Sequence, residues 1–232
     1  MINHFLFIIF IILNFFCEAQ SNVQHIKESI DKKKYQLAIN QINSIKQPCI
    51  HGDSILYLKA YSEIKLNLLP EATNSLNQLK DLNPNYYELY FLRGLIFAIK
   101  KKYPDAIANF YKVLDLNLNH DKALYNMALS KGYVEDYKSA IKDLDQCLII
   151  NPTYSLAYYN RGYWNELIEN YTAAISDYKK AIALDKKHSE AFLALAYVYY
   201  KTKDINSACE TLNVAKNEGI EVANDFIENF CK

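Results

Sequence analysis

Two asparagines, Asn126 and Asn160, stand 34 residues apart. One carboxamide can both donate to a C=O and accept from an N–H, so a regular pair offers matched hydrogen-bonding groups. Around them tyrosines recur four apart, Tyr57 with Tyr61 and Tyr159 with Tyr163. On a helix that spacing puts both rings on one face. Tyrosine supplies large contact area at low entropic cost and keeps a hydroxyl for hydrogen bonding. This is recognition chemistry.

Bond-making chemistry has no comparable support. There is no G-x-S-x-G, no phosphate-cradling glycine loop, no G-x-G-x-x-G, and no H-x-x-H or H-E-x-x-H spacing. No catalytic residue, metal site or cofactor is expected. His120 and His188 share one phase, while His25 and His51 are isolated. Cys17, Cys49, Cys147, Cys209 and Cys231 include no C-x-x-C. Cys147 and Cys209 read as buried small hydrophobes. The cysteines permit a disulfide without requiring one. Asn170-Tyr171-Thr172 is a formal glycosylation sequon.

The elements that position these residues come from an internal repeat. Ala38, Ala72, Ala106, Ala140, Ala174 and Ala208 are spaced by 34, with no insertion or deletion. Four residues after each comes a large residue: Ile42, Leu76, Phe110, Leu144, Tyr178 and Leu212. A second small column reads Ala60, Gly94, Ala128, Gly162 and Ala196, broken by Ile26 in the first copy. Tyr35, Leu69, Tyr103, Tyr137, Tyr171 and Ile205 stand three before each alanine. The units are 20–52 (divergent), 53–86, 87–120, 121–154, 155–188 and 189–222.

Each copy holds two apolar stripes at helical spacing, in segments of about 13 residues. Asp136, Asn170 and Asp204 separate them and suit helix N-caps. Pro70 and Pro104 start second helices, where a missing N–H costs nothing. Asn83-Pro84 and Asn151-Pro152 end copies, because a residue before proline is pushed toward extended geometry. Helices this short are marginal alone and depend on their neighbours. The two small columns are expected to face each other where paired helices approach most closely.

In its period and in its order of small, aromatic, alanine, aromatic and proline positions, this unit resembles the tetratricopeptide repeat over about residues 19–222. The resemblance implies an all-α superhelical solenoid of antiparallel helix pairs whose first helices line a concave groove. Tyr57, Phe91, Tyr125, Tyr159 and Leu193 would face it, then Tyr61, Leu95, Leu129, Tyr163 and Tyr197 one turn later. Asn126 and Asn160 would lie between them, like the asparagine ladder by which some members hold an extended peptide; the alternative for them is a conformational cap or a hydrogen bond between repeats. The alternative for these rings is packing between repeats. The Lys/Asn clamp of chaperone-tail receptors is replaced here by Tyr57, Tyr61, Phe91 and Leu95.

Phe5–Leu13 is an uninterrupted apolar run, too short for a comfortable membrane span but fitting a signal-peptide core. Residues 1–19 are therefore read as a leader cleaved after Ala19, the alternatives being an uncleaved N-terminus, one lipid-attached through Cys17, or no export. Polar Asn22, Gln24 and His25 suit a worn end repeat with one face in water. At the other end Ile220–Cys231, with Val222, Phe226, Ile227 and Phe230 as its stripe, reads as a capping helix, residues 223–232 forming its C-terminal part, with a partner-binding helix as the alternative.

Lys plus Arg equals Asp plus Glu at 26 each, so no global field attracts nucleic acid. The chain reads as a non-enzymatic exported scaffold. Its partner would be a protein or extended peptide held at Tyr57, Tyr61, Phe91, Tyr125, Asn126, Tyr159, Asn160, Tyr163 and Tyr197. Nearby Lys122, Glu88 and Glu190 would add specificity. The alternatives are a structural subunit of an envelope complex and a glycan binder, since stacked tyrosines also suit sugar rings.

Overall fold

The computed structural model describes residues 22–45, 52–221 and 223–231. The leader and its cleavage position, Cys17, Cys49 and His51 lie outside them, as do Val222 and the Phe230 side chain. Among the described residues there are thirteen α-helices and no strand.

The chain forms two compact units, Met1–Lys101 and Lys102–Lys232, dividing inside the copy 87–120. The first unit contains α1 (22–31), α2 (Tyr35–Asn43), α3 (Gly52–Lys65), α4 (Leu69–Leu82) and α5 (Glu88–Ile99). The second contains α6 (Tyr103–Leu116), α7 (Asp121–Tyr133), α8 (Tyr137–Ile150), α9 (Ser155–Leu167), α10 (Tyr171–Leu184), α11 (Ser189–Lys201), α12 (Ile205–Asn217) and α13 (Ala223–Phe230).

In each unit a helix packs on the next. In the second unit the odd-numbered helices α7, α9 and α11 also touch in turn. The alanine column explains the close approach: Ala38, Ala72, Ala106, Ala140 and Ala174 have no exposed surface. Ile26, which breaks the small column, is itself core, packed with Ala38, Ile42, Ile55 and Leu58. A Cβ at Gly162 would come within 2.9 Å of the Tyr178 ring and 3.2 Å of the Asp177 Cβ. Ala174 clusters with Tyr178, Leu195 and Val198.

One backbone device ends the first helix of every copy. Lys33, Asn67, Lys101, Glu135, Glu169 and Lys203, each 34 from the next, have φ between 56° and 65°. In that left-handed conformation the following amide turns back: Leu68 N–H donates to Glu63 O, Asp136 to Lys131 O and Asp204 to Tyr199 O. These bonds satisfy last-turn carbonyls and reverse the chain within three residues. Asp136 and Asp204 then cap α8 and α12, accepting from Ser139 N–H and Ser207 N–H. Asn170 does not cap α10; its amide donates instead to Asn165 Oδ1 at 3.2 Å.

Polar pairs tie the helices of one copy together. Ser75 Oγ donates to Glu63 at 2.7 Å, Lys131 meets Asp143 at 2.6 Å, and Tyr178 OH donates to Glu166 at 2.6 Å. Each pair is separated by 12 residues, the offset between facing turns of a copy.

The C-terminal end corrects one cysteine assignment. Cys147 is fully buried as expected, and its Sγ donates to Asp121 O. Cys209 is not a lone buried thiol but forms a disulfide with Cys231, Cα atoms 5.6 Å apart. The bridge pins the segment after α13 to α12. Ile220 and Ala223 join the core of Phe192, Leu212 and Ala215, with Ile227 against it, while Phe226 is exposed.

Candidate recognition face

The expected inner-face tyrosines separate into packed rings and open rings. Tyr57, Tyr125 and Tyr159 each sit on the residue 29 positions later that closes the same copy. Tyr57 meets Tyr86 at 5.9 Å, Tyr125 meets Tyr154 at 4.8 Å, and Tyr159 meets His188 at 4.8 Å between ring centroids. Tyr159 also touches Tyr178. Burial pushes the Tyr125 hydroxyl up to about 12, partly offset by the amide that Asn160 donates to it. Burial, reinforced by Glu88, likewise raises Tyr57. These rings pack within the fold and are only partly exposed.

Phe91, expected on the same wall, is 6% exposed and offers almost no surface to a ligand. In the first unit Tyr61 remains, half-buried, stacked on Tyr57 at 6.5 Å with an edge contact to Tyr35.

The open rings are in the second unit. Tyr163 on α9 and Tyr197 on α11 are 38% and 48% exposed. Tyr163 rests on Trp164 at 4.9 Å, which fixes one side of its ring. The Lys201 Nζ lies 5.6 Å from the Tyr197 centroid, close enough for a cation–π contact.

Asn126 and Asn160 do lie on α7 and α9 as the register requires. Each donates its amide to its own helix, to Lys122 O at 2.7 Å and Leu156 O at 2.8 Å. Asn160 also donates to Tyr125 OH at 3.1 Å, which joins α7 to α9. Among the described residues neither Oδ1 accepts a hydrogen bond, so the acceptor half of each amide is unengaged. The face thus offers two open phenols and two acceptors across adjacent helices.

Two features escaped the sequence reading. His120 and His188 cap α7 and α11, their Nδ1 atoms accepting from Ala123 N–H and Ala191 N–H at 3.0 and 3.3 Å. The signal was present in their phase with Tyr86 and Tyr154, since 86, 120, 154 and 188 form one column. Arg161 makes two hydrogen bonds to Asp177 and a third to Asp145, bridging α8, α9 and α10. Its partners lie 16 residues away on either side, outside any local motif.

Among the described residues, no three His, Cys, Asp or Glu side chains converge on a metal-sized site, and no helix is long and apolar enough to cross a membrane.

Family profiles described as Tetratricopeptide repeat match residues 57–117 and 169–219. Among solved structures, the chain resembles MamA at 19% identity and TM-score 0.65, over 71% of this chain and 96% of that one. It also resembles pilF of Pseudomonas aeruginosa at 14% identity and TM-score 0.66, over 72% and 76% of the two chains. A third is YrrB, a tetratricopeptide-repeat protein described as having an unusual peptide-binding site, at 20% identity and TM-score 0.60, covering 71% and 84%. At these identities the likeness concerns the fold. No curated protein sequence matches the chain.

Proposed function

We propose that this chain, a member of the tetratricopeptide-repeat family, is an exported, non-enzymatic scaffold that binds an extended segment of a partner protein on the face of α7, α9 and α11. One observation carries the reading. Exposed Tyr163 and Tyr197 and the unengaged Oδ1 atoms of Asn126 and Asn160 belong to adjacent helices. Phenol rings supply buried area on binding, and the amide oxygens can accept from a peptide backbone. The description of YrrB supports a peptide as the ligand class.

Two observations support export. Phe5–Leu13 has the length and character of a signal-peptide core. The Cys209–Cys231 bridge belongs in an oxidising compartment. The equal numbers of acidic and basic residues favour a protein partner over nucleic acid.

The test uses peptides selected by phage display against the immobilised full chain. Tyr163→Ala with Asn126→Ala should weaken a selected peptide by about tenfold or more in a calorimetric titration, in the range of a lost anchor. The helical circular-dichroism spectrum should be retained, with a modest fall in melting temperature from the lost Tyr163–Trp164 ring contact, since Asn126 bonds only to its own helix. Equal affinity for parent and variant would remove this face from consideration.

A further inference from the structure

An apolar cleft of about 250 Å³ opens between α11, α12 and α13. Leu193, Tyr197 and Tyr200 come from α11, Ile205 from the start of α12, and Phe226 from α13, with the Cys209–Cys231 bridge in the wall. Tyr200 and Phe226 are 50% and 41% exposed, so the cleft opens to solvent beside large rings. The bridge fixes the chain after α13 to α12, which holds Phe226 as an outer wall.

Size and lining narrow the occupant. An apolar cavity of about 150 Å³ accepts a benzene-sized molecule, and whole small-molecule sites usually begin near 300 Å³. A helix, about 10 Å across, does not enter. A charged or sugar group would lose its water without gaining hydrogen bonds from an apolar wall. One bulky apolar side chain fits both limits. Its source follows from continuity: Leu193 and Tyr197 extend to α11 the columns that contain Tyr159 and Tyr163 on α9. A segment lying along α7 and α9 therefore reaches the cleft at its next step.

We propose that this cleft seats one large apolar side chain, of the leucine, methionine or phenylalanine class, from the protein segment bound along α7, α9 and α11. The proposal rests on the recognition face described above and adds what the partner must carry.

The experiment is a double-mutant cycle read by calorimetry on the full chain with display-selected peptides. Selected peptides should share one bulky apolar position, and alanine there should weaken binding to the parent chain about tenfold or more. Against Leu193→Trp, which fills the cleft, or Phe226→Ala, which removes its outer wall, the same alanine change should cost little further. An undiminished penalty in both variants would overturn the cleft. Tyr163→Ala with Asn126→Ala separates the two claims: unchanged affinity there rejects the α7–α9 face, even where cleft coupling persists. A selection yielding no peptide binder rejects both.

Discussion

Trp164 on α9 lies so close to Gly132 on α7 that a Cβ at Gly132 would come within 2.3 Å of the indole Cζ2. The absence of a side chain at Gly132 makes room for the chain's one tryptophan, which is buried and stacked on Tyr137 at 5.6 Å. Gly132→Ala should therefore destabilise the second unit by about 1–3 kcal/mol through overpacking, although alanine is the better helix former. Urea unfolding measures it, and Trp164→Leu in the same background should recover part of the loss. A Gly132→Ala chain as stable as the parent would contradict the packing.

The left-handed residues are a second source of stability differences. Glu135 and Glu169 hold φ values of 65° and 63°, which cost a residue with a Cβ about 1 kcal/mol. Glu169→Gly should raise the unfolding midpoint slightly, by less than about 1 kcal/mol after the added entropy of the unfolded chain. Glu169→Val should lower it, because branching at Cβ makes this conformation harder still. The order glycine, glutamate, valine in thermal melts is the expected result.

Glu63 provides a pH signature. Burial is the largest influence on its carboxyl and raises it above the ordinary 4.5, against the opposing hydrogen bond from Ser75 and the charge of Lys59. A raised carboxylate pKa means the folded state holds its proton more tightly than the unfolded one. That contribution is most favourable below the unfolded value and is lost as pH rises through the folded value. Glu63→Gln keeps an acceptor for Ser75 without the charge. Its melting temperature should exceed the parent's at pH 7–8, and the gap should close toward pH 4. A gap that stays constant with pH would assign the effect to packing.

The disulfide closes a 22-residue separation around α13. Loop closure of this order stabilises by about 3 kcal/mol when native geometry is undisturbed. Peptide mapping without reductant should recover residues 209 and 231 in one linked fragment. Cys209→Ser with Cys231→Ser should lower the melting temperature, and dithiothreitol should lower the parent's but not the variant's. On material recovered from outside the producing cell's cytoplasm, N-terminal sequencing should begin at Gln20 if the leader is cut after Ala19.

The sequence by itself determined the paired helices. A strict 34-residue phase left few other places for Ala72, Ala106, Ala140 and Ala174, and all are fully buried. Pro70 and Pro104 marked the starts of α4 and α6, and Asp136 and Asp204 capped as their type predicts. Such features depend on residues close in the chain, so periodicity and capping chemistry reach them.

Tertiary structure decided which aromatic rings stay open to solvent. Tyr125 and Tyr163 both fall in inner-face columns, yet Tyr154 covers one ring while the other is open. Phase assigns a side chain to a helix face, but coverage depends on what the next turn of chain lays over it. The same reason separates Cys147 from Cys209, since pairing requires Cα atoms about 6 Å apart, and only the return of the chain after α13 brings Cys231 to that distance.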